Sequence, residues 1–428
     1  MSFLIGFLPI LFFIALYVGS GIYFTIMGVD NSFYQLSPLT AIIPAIVLGW
    51  FLYKGKTEER MHAFLDGVRH RDIITMCIIF LLAGAFSEVT KSIGSVDSTV
   101  NMALSFAPSN FLLIGLFLIS AFISTAIGTS MGTIATVAPI AVGLAAQGAF
   151  PTVLGVATVI SGAMFGDNLS IVSDTTIAAV LSQEANMKKK LKLNAKVAII
   201  ASILTILVLI YNSGTSIEID SHGYSVLLVF PYIILIVLAG IGVNVFGALS
   251  ISLVCAFIVG KIINDYSIFQ FSKDIVKGFS SMEEIMILSL MVGGLSGLSG
   301  KASSELAVHL GEWVSKHGSV KMAQFIIAKM VSIFDILLAN NTIAIIFTGE
   351  IARNIAKKHH LPPHYSAVWL STFSCVFQGI IPYGAQVLLA SSIAEVSPLS
   401  IIPQVYYCYI LAVVSILYIS FAKVKKDI

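Results

Sequence analysis

The segment GDNLSIVSDTT, residues 166–176, separates two strongly apolar stretches and places two carboxylates, two serines, two threonines and an asparagine where a membrane-crossing helix would otherwise run. On a permissive insertion scale, each ionised carboxylate at the middle of such a helix costs at least about 2.5–3.5 kcal/mol. A continuous helix over 152–184 would leave Asp167 and Asp174 in hydrocarbon. The segment therefore reads as a helix broken near Gly166, with freed carbonyls on one side and a new helix N-terminus on the other.

The rest of the chain supplies the membrane setting. Of 428 residues, 57% are hydrophobic and 11% charged, and the mean hydropathy is +0.96, far from the quarter-charged average of soluble domains. Apolar runs recur at Leu4–Met27, Val197–Tyr211, Ser225–Val243, Ser250–Ile263 and Ile401–Phe421. Lipid offers no partners to backbone polar groups, so repeated spans without alternating polarity must be helices. The expected fold is an all-α polytopic membrane protein of about ten to twelve transmembrane segments. The first run lacks the basic flank and small-residue cleavage pattern of a signal peptide and is read as a mature helix. Cys77, Cys255, Cys375 and Cys408 lack metal spacing and read as small core residues.

Lys/Arg-rich connections at 54–71, 188–192, 353–360 and 423–426 face the cytoplasm by the positive-inside rule, and 212–223 and 394–400, without Lys or Arg, face outward. Both termini are expected in the cytoplasm, with the chain in the cytoplasmic (inner) membrane.

Two stretches repeat. MGTIATVAPIAVGLAAQGAFP (131–151) and NNTIAIIFTGEIARNIAKKHHLP (340–362) share a polar turn, Thr-Ile-Ala and a Pro-marked loop, and AMFGDNLSIVSDTTIAA (163–179) falls opposite CVFQGIIPYGAQVLLAS (375–391). The loop after the first Thr-Ile-Ala is uncharged and its counterpart basic, which places them on opposite sides of the membrane. Two inverted repeats follow, each with a re-entrant hairpin and a broken helix, the arrangement of many secondary transporters with midplane sites. The expected divisions are 1–72 (N-terminal helices and loop), 73–211 (first repeat), 212–282 (connecting helices) and 283–428 (second repeat).

Candidate ion- or substrate-binding residues are Asp167, Asn168, Ser170, Ser173, Asp174, Thr175 and Thr176 in the first repeat, joined by Thr129 and Thr133 from the polar turn STAIGTSMGT. From the second repeat come Asp335, Asn340, Asn341 and Thr342 in DILLANNT, and Gln378, Tyr383 and Gln386 in QGIIPYGAQ, where Gly379, Pro382 and Gly384 break the helix. The serines and threonines have an alternative role bonding the preceding helical turn. Asp335 is within reach of Lys329 on its own helix. Asp167 and Asp174 are the Na+ candidates. No Walker loop, zinc-type His/Glu spacing or nucleophile elbow is present in the sequence, so ATP-driven pumping and hydrolysis lack carriers, leaving an intramembrane aspartyl enzyme as a remote alternative to transport.

FGDNLSIVSDTT (165–176) also resembles the signature of NhaC-type sodium/proton antiporters, typically Gly-Asp-Lys followed by Ser-Pro-Leu-Ser-Asp-Thr-Thr. The match runs through Gly166, Asp167, Ser170, Ser173, Asp174, Thr175 and Thr176. Asn168 stands where a lysine is usual, which removes a counter-ion for a carboxylate, and Ile171 stands where a proline is usual. The resemblance implies a Na+/H+ antiporter with two re-entrant hairpins and two broken helices, working as an elevator-like homodimer. Because the wider family resembles one that also exchanges small organic anions or amino acids, the alternative is a Na+- or H+-coupled carrier of a small organic solute. Beyond Na+, H+ and the lipid bilayer, no cofactor or nucleic-acid partner is expected.

Overall fold

The computed structural model describes the chain apart from residues 1, 30–34, 107–108, 172, 214–222, 242, 316–318, 423 and 425–428. Most of the expected outward segment 212–223 and of the terminal basic cluster 423–426 lies outside the described residues. The first half contains α1 (Ser2–Ile26), α2 (Pro38–Leu52), α3 (Thr57–Val68), α4 (Arg71–Ser92), α5 (Ser95–Phe106), α6 (Ser109–Ile127), α7 (Ser130–Ala146), α8 (Thr152–Leu169), α9 (Asp174–Gln183) and α10 (Met187–Asn212). The second contains α11 (Val226–Gly240), α12 (Val245–Asn264), α13 (Ile268–Ser281), α14 (Glu283–Ser315), α15 (Val320–Leu338), α16 (Asn341–Lys358), α17 (Pro363–Gln378), α18 (Ala385–Ala394), α19 (Pro398–Ile401) and α20 (Tyr406–Phe421). Apart from a 3-10 turn at Ile402–Gln404, the described regular structure is α-helical. Asn and Ser side chains mark several starts, Asn186, Asn244, Ser267 and Ser319 each accepting a hydrogen bond from an N–H of the first turn.

The repeat is visible in the backbone itself. α6 and α15 are both 19 residues long, and α9 and α18 both 10. Left-handed residues fall in matching places: Gly128 and Ala339 end α6 and α15, Gly148 and His360 follow α7 and α16, and Glu184 and Glu395 close α9 and α18. Packing is exchanged between halves, α7 lying on α18 where α16 lies on α9, and α3 on α14 where α13 lies on α4. The symmetry thus reaches α3 and α13, beyond the segments in which the sequence shows it.

Orientation follows from one span. α8 and α9 together make an apolar stretch of 32 residues, Thr152–Gln183. It begins after the uncharged loop 147–151 and ends at Glu184, whose carboxylate pairs with Arg353 at 2.6 Å, while Gln183 donates to the Gly349 carbonyl at 2.7 Å. The basic 353–360 region therefore lies at the opposite end of this span from 147–151. Among the described residues, Ile73–Ser92, Met187–Asn212 and Val245–Ile263 are also long and apolar enough to cross a membrane. Shorter apolar helices such as Ser130–Ala146 and Tyr406–Phe421 cannot reach across a core of about 30 Å alone.

Close backbone approach holds the scaffold together. Lipid gives helices little hydrophobic reason to associate with one another, so small residues at crossings matter. A Cβ at Gly278 would sit 2.4 Å from the Gly84 carbonyl oxygen, and one at Gly67 2.0 Å from that of Gly293. Gly166 has the same role: a Cβ there would meet Ser124 Cβ at 2.4 Å on α6. That corrects the expected break at Gly166. The helix continues to Leu169, with Ser170 N–H bonded to the Gly166 carbonyl at 2.8 Å, because this glycine serves packing. Glu88 and Lys91 likewise lie within α4, where Glu88 forms an ion pair with Lys277 of α13.

Two outcomes test this frame. Gly278→Leu should lower the detergent unfolding temperature, with a destabilisation of about 1–3 kcal/mol or more from overpacking, whereas Gly115→Leu, with nothing within 4 Å of its Cβ position, should leave it unchanged. Single cysteines at Gln147 and His360, both exposed, should react with impermeant reagent from opposite sides of the membrane.

Candidate functional site

Four helices start at one place. The first residues of α7, α9, α16 and α18 line a single cleft, through Gly128, Thr129, Ser130 and Met131, through Asp174 and Thr175, through Asn340, Asn341 and Thr342, and through Gln386. Asp167 forms part of the lining, with Thr75, Met76 and Ile79 of α4 completing it around about 90 Å³ of space. Each helix start carries N–H groups without intrahelical partners and the positive end of the helix dipole. Only α16 is closed by its N-cap side chain, Asn340 accepting from Ile343 N–H at 2.9 Å. Thr129, Ser173 and Gly384 make no side-chain capping bond.

Ser173 directs its hydroxyl elsewhere, to Asp167. Its Oγ donates to Asp167 Oδ1 at 2.5 Å, and Ser130 Oγ donates to Asp167 Oδ2 at 3.0 Å. The second bond ends a relay between the repeats. Gln378 Nε2 donates to Gln386 Oε1 at 2.8 Å, and Gln386 Nε2 to Ser130 Oγ at 3.1 Å, so successive donors point toward the carboxylate. Asp167 is 5% exposed and forms no ion pair among the described residues. Charge-assisted hydrogen bonds and four helix starts are what its ionised form has in place of a touching cation. Asp174, in the first turn of α9, is exposed at the cleft.

Behind Asp167 lies a cation that the sequence placed in solvent. Lys190 belongs to the 188–192 basic cluster, yet it is fully buried. Its Nζ donates to the Asn168 carbonyl at 3.2 Å, Thr176 Oγ1 at 2.8 Å and Ser371 Oγ at 3.1 Å. Asn194 Nδ2 donates to the Asn168 carbonyl at 2.6 Å and to its Oδ1 at 2.9 Å, and Thr372 Oγ1 donates to Asn194 Oδ1 at 3.1 Å. The cluster joins the end of α8 to α9, α10 and α17. Where the signature's lysine is replaced by Asn168, a positive charge arrives from α10 and is held on Asn168 itself.

Of the sequence candidates, Asp167, Asp174, Thr175, Thr129, Asn340, Asn341, Thr342 and Gln386 line the cleft. Ser173 and Gln378 stand one bond behind it. Asn168 and Thr176 belong to the Lys190 cluster. Ser170 lines a different pocket with Ile171 and Leu191, Thr133 donates to the Thr129 carbonyl at 3.1 Å within its helix, and Tyr383 donates to the Ile336 carbonyl at 2.6 Å. Asp335 is fully buried, outside the cleft lining, and has no pairing with Lys329, which is exposed. Sequence reasoning missed Thr75, Lys190, Asn194, Ser371 and Thr372, and left Ser130 open between helix packing and the site. Ser130 lay within a quoted motif, and Lys190 is flanked by lysines that do face solvent.

A family model described as the Na+/H+ antiporter family matches residues 2–213. The Na+/H+ antiporter NhaC of Bacillus subtilis (strain 168) is 25% identical over 422 residues, covering 90% of this chain and 91% of that protein. The malate-2H+/Na+-lactate antiporter of the same organism is 24% identical over 416 residues, covering 88% and 86%. The crystal structure of the Alcanivorax borkumensis YdaH transporter aligns with a TM-score of 0.42 at 12% identity, over 81% of this chain and 85% of that one. That value is too low to carry the fold, which stands on the helices described above. A broken-helix cleft, an acid-bearing signature and two relatives aligned over most of their length lead to one conclusion: this chain is a multi-pass membrane protein similar to the Na+/H+ antiporter family.

Proposed function

We propose that the chain exchanges Na+ for protons, with Na+ bound at the Asp167 carboxylate. The observation that carries this reading is a buried acid lining a polar cleft, fixed by two hydroxyl donors and touching no cation. A small hard cation prefers carboxylate, carbonyl and hydroxyl oxygens, and Asp167 with Ser130 and Thr175 offers such a set. The space of about 90 Å³ accommodates a Na+ with a few waters, a water needing about 10–15 Å³ on this measure. Asp174, exposed at the same cleft, draws cations to it. The basic loops mark the cytoplasmic side of the cell membrane.

A second reading rests on the uncapped starts of α7, α9 and α18. Free N–H groups at helix N-termini suit a carboxylate, as a small organic acid would bring, and one relative is named a malate-2H+/Na+-lactate antiporter. Reconstitution separates the two readings. Na+-driven proton movement without added organic solute supports ion exchange, and strict dependence on such a solute supports the carrier.

Asp167→Asn should keep the fold and lower apparent Na+ affinity by more than about 100-fold, since loss of groups merely supporting a ligand already costs about 10–100-fold; unchanged Na+-dependent transport would remove Asp167 from the site. Asp174→Asn, at an exposed position, should cost less.

Protons and Na+ that exchange must oppose each other's binding, and linkage makes the effect reciprocal. Apparent Na+ affinity should therefore fall as pH is lowered, and Na+ binding should release protons. Calorimetry in buffers of different ionisation enthalpy counts them; an affinity flat across neutral pH with no proton released would refute exchange and favour the solute carrier.

A further inference from the structure

The charged side chains buried in the described structure are Asp167, Lys190, Asp274 and Asp335. Asp274 is provided for on α13, accepting from Tyr266 and Gln270. Asp167 has two hydroxyl donors, and Lys190 has three oxygen acceptors. Asp335 differs from all of these. It is 0% exposed, and neither carboxylate oxygen has a hydrogen-bond partner, although the Gln378 backbone lies beside it. An ionised carboxylate in that position carries the full cost of desolvation without compensation, and buried groups of this kind neutralise instead.

Among the described side chains the neighbourhood offers no counter-charge. Lys329 on the same helix is exposed, and Arg353 of α16 pairs with Glu184. The titratable groups that sense Asp335 are Cys375 of α17 and Tyr383 in the break before α18, neither of them a cation, and the Tyr383 hydroxyl is bonded to the Ile336 carbonyl. Gln378 Oε1 is a further buried acceptor without a donor. Charge count sharpens the point: among the described side chains buried around the breaks, Asp167 and Asp335 face one lysine, Lys190, so with all three ionised this set is one positive charge short. One proton supplies it.

Resting on the Na+/H+ exchange reading above, we propose that Asp335 is the site of the exchanged proton, separate from the Na+ site at Asp167. With the cleft free of Na+, Asp335 is a neutral carboxyl. When Na+ binds Asp167, the core carries one positive charge too many, and the O–H bond of Asp335 breaks heterolytically, its proton leaving to water and the electron pair staying on the carboxylate. The position suits this exchange. Asp335 lies one turn before the break of α15, its carbonyl accepting from Ala339 N–H at 2.7 Å. Gln378, which donates to the Ala339 carbonyl at 3.3 Å, begins the relay through Gln386 and Ser130 to Asp167. The relay fixes the geometry of the two sites relative to each other; the amides carry no proton between them.

The experiment counts protons released per Na+ bound to the purified full chain, by calorimetry in two buffers of different ionisation enthalpy. Wild type should release about one proton, and Asp335→Asn should still bind Na+ while releasing almost none. Continued release of one proton per Na+ from Asp335→Asn would overturn the proposal and return the proton to Asp167. Infrared difference spectra of wild type give a second readout independent of that variant's folding. A protonated-carboxyl band present without Na+ and lost on its addition is expected; no such band without Na+, or one that Na+ leaves untouched, refutes the assignment. Absence of Na+ binding in wild type would instead sink the exchange reading itself, and the presence of the band in wild type with its loss in Asp335→Asn would still report whether Asp335 holds a proton.

Discussion

A backbone N–H that has left its helix and cannot reach water must find another partner, and this molecule turns that constraint into a site. α6/α7, α8/α9, α15/α16 and α17/α18 are interrupted inside the protein. Lipid cannot satisfy the groups the interruptions expose. All four new helix starts open on one cleft, where water, an ion or a carboxylate can meet them. The acid at its wall, Asp167, accepts hydrogen bonds from Ser130 and Ser173, which the same breaks place beside it.

The two repeats share a backbone and divide the chemistry. Matching left-handed caps at Gly128 and Ala339 show how closely the frames agree; at Ala339 a β-carbon is tolerated where glycine is the easy choice. The first repeat contributes Asp167, Ser173, Asp174 and Lys190, and the second contributes amides and hydroxyls from Asn340, Gln378, Gln386 and Ser371, together with the isolated Asp335. Contacts such as Gln386 to Ser130 and Ser371 to Asn168 cross between them, so relative movement of the repeats must alter the surroundings of Asp167. Glycine crossings at Gly84 with Gly278 and Gly67 with Gly293 hold backbones together elsewhere.

Much of this was legible in the chain itself. A run of polar residues in an apolar setting located the α8/α9 break to within a few residues, and Gly379, Pro382 and Gly384 located the one before α18, because helix-breaking chemistry is local. Charge asymmetry between the loops at 147–151 and 353–360 announced the inversion for the same reason. Gly166 misled, since a glycine that opens a helix and one that admits a neighbouring backbone look alike in sequence.

What the sequence by itself determined, then, was the membrane class, the repeat and the candidate acids. The tertiary structure alone decided which of them meet. Lys190 reads as one of several cytoplasmic lysines until α10 brings it against Asn168 and Ser371, and Asp335 reads as a partner of Lys329 until the helix turns one inward and the other out. Both depend on contacts between distant segments. Local pattern fixes which face of a helix is apolar, but the cost of burying a charge is set by what the rest of the fold places opposite it.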